Sequence, residues 1–222
     1  MCRFLIIKAD EPSSLGNILS GFSDMAQKSR ALDGDWQGDG WGASWLTNEN
    51  QWNSYISTEP VWREKVFFSK IPETRMLLAH ARSASFYDHK KNISFNQPFI
   101  HNSFAFVFNG LIRKVALPVP VSGKIGSQKI WNLLKGFLRT QQPEAALRST
   151  VNTISRHSRE IHALNIGLCD KKDIYVTCHY AAHPDYYHLQ FSDNAGMKIV
   201  SSEPIDGFDF IPLPTESILR LD

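Results

Sequence analysis

The sequence predicts an α+β protein in which antiparallel sheets are covered by helices on more than one side. Strand-like apolar segments and one early amphipathic helix fill the first half of the chain, two helical patterns follow, and only strand-like segments come after residue 162. No repeat, low-complexity segment or linker interrupts the 222 residues, so we expect a single domain over residues 1–222.

In the first half of the chain, an apolar strand is expected over residues 2–7. Pro12 and Ser13 mark a helix start, and apolar residues at helical spacing predict an amphipathic helix over residues 13–29. Residues 86–102 lack periodicity and predict a long loop over the sheet edge or the site. The glycines at 38–42 mark a tight turn into a strand. Further strands are expected over residues 51–58, 65–69, 75–83 and 104–108, and the last of these runs into Asn109-Gly110 and on to residues 111–112.

In the second half, apolar residues at helical spacing predict two consecutive helices, over residues 127–139 and 144–157, the second beginning after Pro143. The remaining chain reads as strands only. These strands are expected over residues 162–168, 173–180, 186–192 and 197–202, with a last short one over 218–221.

Composition and charge exclude several classes of protein. The 24 basic and 22 acidic residues are spread along the chain and leave a net charge of +2, so neither a nucleic-acid partner nor a membrane partner is expected. No apolar run approaches the roughly 20 residues of a membrane span, and no leader precedes Cys2, so a cytoplasmic location is predicted. Cys169 and Cys178 lie in apolar segments and are expected to be buried structural thiols.

Cys2 is the first candidate for chemistry. Removal of Met1 is expected before a residue as small as Cys, and it would leave a thiol and an α-amine on one residue. An amine of pKa about 7.7–8.0 can accept the proton of a thiol of pKa roughly 8.5, which would make the residue both nucleophile and base. Considered alone, a Cys at this position can equally be without a role.

Two further segments carry polar groups at the ends of apolar runs. His80 and Arg82 share one face of a predicted strand, and a buried Arg needs an anion, either a substrate carboxylate or a structural acid. Asn109 and Gly110 form either a hairpin turn of the primed type or, beside a nucleophile, a pair of N–H donors to an oxyanion.

The histidines near the C-terminal end have spacings that invite a metal site, but no metal site is predicted. Pro184 and Asp185 interrupt the segment that contains His179, His183 and His188, so no helical face could present the three rings together. The glycines at 38–42 do not form a phosphate loop, because neither the longer glycine spacing nor the Lys is present.

Six short segments, taken together, resemble the class II glutamine amidotransferases, which belong to the N-terminal nucleophile (Ntn) hydrolases. They occur in the family's order and cover almost the whole chain. The similarity is greatest to the stand-alone, single-domain branch of the family. The segments are residues 1–4 (MCRF), 38–42 (GDGWG), 80–85 (HARSAS), 96–99 (NQPF), 106–110 (FVFNG) and 201–204 (SSEP).

The resemblance implies a four-layer αββα sandwich, in which two antiparallel sheets lie face to face with helices on the outer faces. It also implies roles at the reacting centre. Cys2 would be the nucleophile and, through its amine, the base, while Asn109 and Gly110 would donate to the oxyanion. Arg82 would bind the α-carboxylate of a glutamine-like substrate, within a substrate-binding segment that includes His80 and Ser83.

The resemblance implies supporting roles for residues around this centre. Arg3 would order the nucleophile, and Glu203 would close or brace the pocket. Gly40, Trp41 and Gly42 would form a scaffold close to Cys2.

The chain departs from the family pattern at three positions. The family's Asp that binds the substrate's α-ammonium is replaced by Gly126, so either another carboxylate such as Asp39 or Asp88 substitutes, or the acyl donor is not free glutamine. The family's His before Pro-Phe is Gln97, and the residue before Asn109 is Phe108 instead of His.

The implied activity is hydrolysis of the side-chain amide of glutamine or of a γ-glutamyl compound through a thioester, without a metal or an organic cofactor. The ammonia could pass to a separate synthase subunit bound over the pocket, or the protein could hydrolyse its substrate alone; a homo-oligomer also remains open. The alternative is a degenerate member of the family that binds an amino-acid-like ligand or a partner protein and catalyses nothing.

Overall fold

The computed structural model describes residues 2–29, 34, 36–194 and 196–222. In this part of the chain, the first sheet has seven antiparallel strands in the order β11-β9-β10-β1-β4-β2-β3. Its strands are β1 (Arg3–Ser13), β2 (Trp41–Leu46), β3 (Trp52–Ser57), β4 (Thr74–Ala81), β9 (Gln190–Asn194), β10 (Met197–Ser201) and β11 (Ile211–Pro212).

The second sheet has five antiparallel strands within the described ranges, in the order β12-β8-β7-β6-β5. The strands are β5 (Phe99–His101), β6 (Phe104–Val115), β7 (Ser158–Cys169), β8 (Ile174–Cys178) and β12 (Ser217–Leu221). The helices are α1 (Gly16–Lys28), α2 (Gly126–Leu138), α3 (Pro143–Arg156) and the single turn α4 (Pro184–Tyr187).

Alternation along the central strands creates the layers. In β1, Phe4 and Ile6 point between the two sheets, whereas Leu5 and Ile7 join the core under α1. In β6, Val107 points between the sheets, and residues on its other face join the core formed with α2 and α3. Helices therefore cover the outer face of each sheet, and the predicted four-layer αββα sandwich is confirmed.

Gly167 of β7 packs directly against Ile6 of β1 in the layer between the two sheets. A Cβ atom on Gly167 would lie 2.2 Å from Ile6 Cδ1 and 2.9 Å from Val107 Cγ2. Interiors are packed to crystal density, so a side chain here would push the sheets apart. The glycine thus leaves room for Ile6 of β1 against the second sheet.

The strand predicted over residues 65–69 is wrong, because Lys65–Lys70 forms a 3₁₀-helix. Phe67 and Phe68 both pack into the aromatic cluster around Trp41, while Val66 is 79% exposed. A strand would place neighbouring side chains on opposite faces, so two adjacent phenylalanines cannot both reach this cluster from a strand.

Two other element boundaries need correction. Strand β1 continues to Ser13, which pairs with Thr74, so α1 begins at Gly16 without a side-chain cap. The strand predicted over residues 186–192 is split, because Pro184 begins the helical turn α4 and β9 follows it. The two long central helices and the strand that precedes Arg82 lie within two residues of their predicted positions.

Within the described residues, no helix combines the length and the apolar character needed to cross a membrane.

We expect Gly167→Ala to lower the free energy of unfolding by about 1–3 kcal/mol, because its methyl group would overpack the layer between the sheets. Gly136→Ala is the matched control. Gly136 lies in α2, and a Cβ added there would meet no atom within 4 Å, so this substitution should stabilise the protein by about 0.5–1 kcal/mol. Urea unfolding followed by circular dichroism measures both, and equal effects of the two substitutions would contradict the close contact.

Candidate active site

Cys2 lies immediately before β1, at the edge of the space between the two sheets. Its backbone N–H donates to Asn109 Oδ1 of the second sheet at 3.3 Å. Its Sγ lies 3.9 Å from the carbonyl oxygen of Ser83, which follows β4. Three segments that are far apart in sequence therefore meet at Cys2, one at its backbone nitrogen and one at its thiol.

Asn109 lies inside β6 and not in a turn, so the hairpin interpretation of Asn109-Gly110 is wrong. The Asn109 side chain is 1% exposed, and its Nδ2 has no hydrogen-bond partner among the described residues. Gly110 follows in the same strand, opposite Leu164 of β7. A buried amide nitrogen beside a thiol can donate to an oxyanion that forms there.

His80 extends the row of β4 side chains that faces the second sheet, after Met76 and Leu78. Its Nε2 lies 3.2 Å from the carbonyl oxygen of Phe108, and the ring is fully buried. Its Nδ1 has no hydrogen-bond partner in the described part of the chain. His80 is therefore held by the protein itself on one nitrogen only.

The thiol of Cys2 is more acidic than an ordinary cysteine. Burial raises the pKa of this thiol. Interactions of the thiol, chiefly with the His80 ring, together lower the pKa by more than burial raises it, so that the net value is about 6. A thiol with this pKa is mostly thiolate at neutral pH, and the thiolate is the nucleophilic form. The structure thus brings together Cys2, His80, Ser83 and Asn109.

Arg82 is 5% exposed and is held by neutral acceptors. Its Nη1 donates to Asn96 Oδ1 at 3.0 Å and its Nη2 to the carbonyl oxygen of His89 at 2.7 Å, with the guanidinium over the ring of Phe95. Among the described residues, it makes no ion pair within 4.0 Å. Burial lowers its pKa, and the charges of Cys2 and Asp39 oppose that change.

The charge of Asp39 interacts with the Arg82 guanidinium and raises its pKa against the effect of burial. Asp88, in contrast, is exposed in the 3₁₀-helix Tyr87–His89. Asp39 Oδ2 accepts from the Ala84 N–H at 2.8 Å, and its Oδ1 lies 3.4 Å from Lys90 Nζ. Asp39 also lines an open cleft of about 430 Å³. The cleft is lined by Gln27, Trp36, Gly38, Asp39, Pro60 and Trp62.

Arg3 is buried beside Cys2 and holds the start of β1. Its guanidinium pairs with Glu203, stacks 3.7 Å from the ring centroid of Tyr186 and donates to the Tyr186 carbonyl oxygen. Ser29 also bonds both Arg3 and Glu203. In this arrangement Glu203 contacts Arg3, so it is placed to brace the strand that follows Cys2.

Gly40 and Gly42 make room for the segment that contains Asn96 and Gln97. A Cβ on Gly40, whose φ is +112°, would lie 2.1 Å from Asn96 Nδ2, and one on Gly42 would lie 2.5 Å from the Gln97 carbonyl oxygen. Trp41 between them is fully buried and donates from Nε1 to Glu64 at 2.7 Å. Gly40 and Gly42 therefore allow close packing against Asn96 and Gln97, and Trp41 lies in the core between them.

Sequence reasoning gave no role to Asn96 and missed the contact of Gln97. Asn96 orients Arg82, and Gln97 Oε1 accepts from the Phe108 N–H at 2.6 Å, next to Asn109. Neither residue belongs to a periodic pattern. Only their position in the NQPF segment could have identified them.

The C-terminal histidines do not form a cluster. His188 Nε2 lies 2.8 Å from the Leu213 carbonyl oxygen, and the ring of His183 packs against that of His162. Across the described residues, no three His, Cys, Asp or Glu side chains are placed to hold a metal ion. Cys169 and Cys178 are fully buried and unpaired by disulfides, as expected from their apolar flanks.

We expect the folded protein to be alkylated by iodoacetamide at Cys2 only, with a rate that rises with pH around a midpoint near 6, because the thiolate forms as the pH passes the thiol pKa. Cys169 and Cys178 should stay unmodified, since burial raises the pKa of both thiols. Peptide mass spectrometry after timed alkylation measures all three. A midpoint above 8 at Cys2 would contradict the environment described for it.

No protein-family model matches the chain, and no curated protein matches its sequence. Solved structures match in fold. One is a glutamine phosphoribosylpyrophosphate amidotransferase from B. subtilis, in complex with ADP and GMP, at 12% identity and a TM-score of 0.69. The match covers 99% of this chain but 47% of that one, so the chain spans about half the length of that protein.

Two shorter proteins match over nearly their whole length. A glutamine aminotransferase class-II domain protein from Silicibacter pomeroyi matches at 15% identity and a TM-score of 0.65, covering 100% of this chain and 99% of that one. A predicted glutamine amidotransferase from Pseudomonas aeruginosa matches at 14% identity and a TM-score of 0.57, with 99% and 96% covered. The chain thus has the fold of class II glutamine amidotransferase domains, and the fold expected from the resemblance is confirmed.

Proposed function

We propose that the chain is an amide hydrolase of the glutamine amidotransferase type, with Cys2 as its nucleophile. One observation carries the proposal: the Cys2 N–H donates to Asn109 Oδ1, which holds this buried side chain against Cys2 while its Nδ2 has no hydrogen-bond partner among the described residues. A nucleophile and an oxyanion donor are then held together by one hydrogen bond. A ligand-binding protein has no need of this pairing.

The proposed reaction has two halves. The Cys2 thiolate attacks the carbonyl carbon of a side-chain amide, and the resulting oxyanion accepts hydrogen bonds from Asn109 Nδ2 and the Gly110 N–H. The amide nitrogen takes a proton and leaves as ammonia or an amine, which gives a thioester. Water then attacks the thioester and releases the acid. Loss of Met1, which lies outside the described residues, would free the Cys2 amine as base.

Arg82 supports a substrate that carries a carboxylate. A buried guanidinium without an ion partner is costly, and a substrate α-carboxylate would supply the missing anion. Arg82 has five N–H donors and uses two of them on Asn96 and His89, so donors remain for such a group.

Asp39 is the carboxylate best placed to replace the family's missing acid, because its charge already acts on Arg82. An α-amino acid could then lie with its carboxylate at Arg82 and its ammonium toward Asp39. The acyl donor remains glutamine or a γ-glutamyl compound, and the cleft beside Asp39 offers room for the larger of the two. We further propose that the 222 residues act as one domain in the cytoplasm, alone, as a homo-oligomer or with a synthase subunit.

Cys2→Ala should reduce release of ammonia or amine by at least about 10³-fold, because the reaction loses its nucleophile. The assay presents glutamine, short γ-glutamyl peptides and γ-glutamyl amines, each with the wild-type protein and the variant. Cys178→Ala is the control, since this thiol is buried between the sheets and away from the site. Intact mass establishes whether Met1 has been removed in each preparation.

Equal turnover by wild type and Cys2→Ala would contradict the mechanism. Absence of turnover by processed wild type on every substrate, with binding of an amino-acid ligand retained, would favour the degenerate binding protein.

Arg82→Met and Asn109→Ala should affect different constants. Arg82→Met should raise KM by about 100-fold with a smaller change in kcat, since it removes charge-assisted hydrogen bonds to the substrate. Asn109→Ala should lower kcat by about 10²–10³-fold, because this donor acts on the oxyanion. Steady-state kinetics on the best substrate separates the two, and Arg82→Lys should recover part of the KM. The opposite assignment of the two effects would show that the binding and oxyanion roles are exchanged.

A further inference from the structure

We propose that His80 is a second base for Cys2, which takes the thiol proton on Nδ1 and allows the thiolate to form even while Met1 blocks the α-amine. This inference rests on the proposed function only in taking Cys2 as the nucleophile. It differs from the role first expected for His80, which was to bind substrate.

The carbonyl oxygen of Phe108 determines the tautomer of the His80 ring. A carbonyl oxygen only accepts hydrogen bonds, so Nε2, at 3.2 Å from it, must carry the proton of a neutral ring. Nδ1 is then the acceptor. It is buried and has no hydrogen-bond partner in the described residues. Phe4 pairs with His80 between β1 and β4, so the side chains of Cys2 and His80 lie on the same face of neighbouring strands, and the charge of His80 interacts with the thiol.

The carbonyl that orients His80 is itself held in place. Gln97 Oε1 accepts from the Phe108 N–H at 2.6 Å, and Gln97 Nε2 lies 3.5 Å from the Phe108 carbonyl oxygen. Phe108 precedes Asn109 in β6. The same stretch of backbone therefore orients both the imidazole and the oxyanion donor around Cys2.

The proton transfer balances within the pair. The S–H bond of Cys2 breaks, its electron pair stays on sulfur, and the proton forms an N–H bond at His80 Nδ1. The product is a thiolate beside an imidazolium that donates from Nε2 to Phe108 and from Nδ1 toward the sulfur. When the amide bond of the substrate breaks, the Nδ1 proton can pass to the leaving nitrogen, which returns His80 to its neutral tautomer.

The other titratable groups around the thiol do not replace His80. Arg82, which follows β4, carries a charge that interacts with Cys2, but a guanidinium does not accept protons. Tyr186, in α4, also interacts with Cys2; burial raises the pKa of its phenol, which therefore stays protonated and neutral. Within the described residues around Cys2, His80 is the group able to accept the thiol proton.

The test measures alkylation of Cys2 by iodoacetamide from pH 5 to 9 in wild type and His80→Gln, each prepared with Met1 retained and with Met1 removed. Gln can still donate to the Phe108 carbonyl but offers no Nδ1. We expect Cys2 of His80→Gln, with Met1 retained, to react about 10-fold more slowly at pH 6. The loss of thiolate is larger than this, but the remaining thiolate is more basic and a better nucleophile.

Two controls accompany the comparison. His157→Gln removes an imidazole that bonds the Thr153 carbonyl oxygen at the end of α3, and it should leave the Cys2 profile unchanged. Protection of Cys169 and Cys178 reports that each variant is folded. An unchanged Cys2 profile in folded His80→Gln overturns the proposal.

If His80→Gln does not fold, nitrogen NMR of the wild-type His80 ring decides the question. In wild type we expect Nδ1 to carry the proton that the Cys2 thiol loses, and in Cys2→Ser we expect the neutral tautomer protonated on Nε2. The same neutral tautomer in both proteins would overturn the proposal. Because neither measurement needs turnover, an inactive protein with a shifted Cys2 profile would contradict the proposed function and still support His80 as the base.

Discussion

The site depends on the contact between two sheets that reach Cys2 from opposite sides. On one side, β1 lies between β10 and β4, and the pairing of Arg3 with Ala81 brings Ser83 alongside the thiol. On the other side, β6 presents Asn109 across the gap. Gly167 allows β1 to pack closely against the second sheet, and a side chain there would push the nucleophile away from its oxyanion donor.

The position of Cys2 at the start of a strand demands an anchor, since strand ends fray when they have few partners. Arg3 supplies it through Glu203 and the Tyr186 carbonyl oxygen, which belong to segments after β10 and in α4. The backbone adds to this, because the N–H and carbonyl of Phe4 both bond Ser202. The first residues of β1 are thus held by the last third of the chain.

Local pattern was enough to predict most elements, because apolar alternation and helical spacing both report burial directly. The four-layer arrangement came from the resemblance of the six segments to a known family. The 3₁₀-helix at Lys65–Lys70 escaped prediction, since β-branched and aromatic residues favour strands locally and only the aromatic cluster around Trp41 decides against one. For the site, motif order identified Cys2, Arg82 and Asn109. It could not reveal that Arg82 has no ion partner among the described residues, which depends on contacts across sheets and loops.

Two buried nitrogen atoms without hydrogen-bond partners among the described residues, Asn109 Nδ2 and His80 Nδ1, distinguish this site from an ordinary packed core. An unpaired buried donor or acceptor costs about 1–3 kcal/mol, and other such atoms, for example Trp45 Nε1 and Ser192 Oγ, lie elsewhere in the described chain. Asn109 Nδ2 and His80 Nδ1 differ from these because both belong to residues that interact with Cys2, whose thiol is acidified. Their cost in the resting state is offset only when charge develops at that thiol and at the carbonyl it attacks, which is the condition for preferential stabilisation of a transition state.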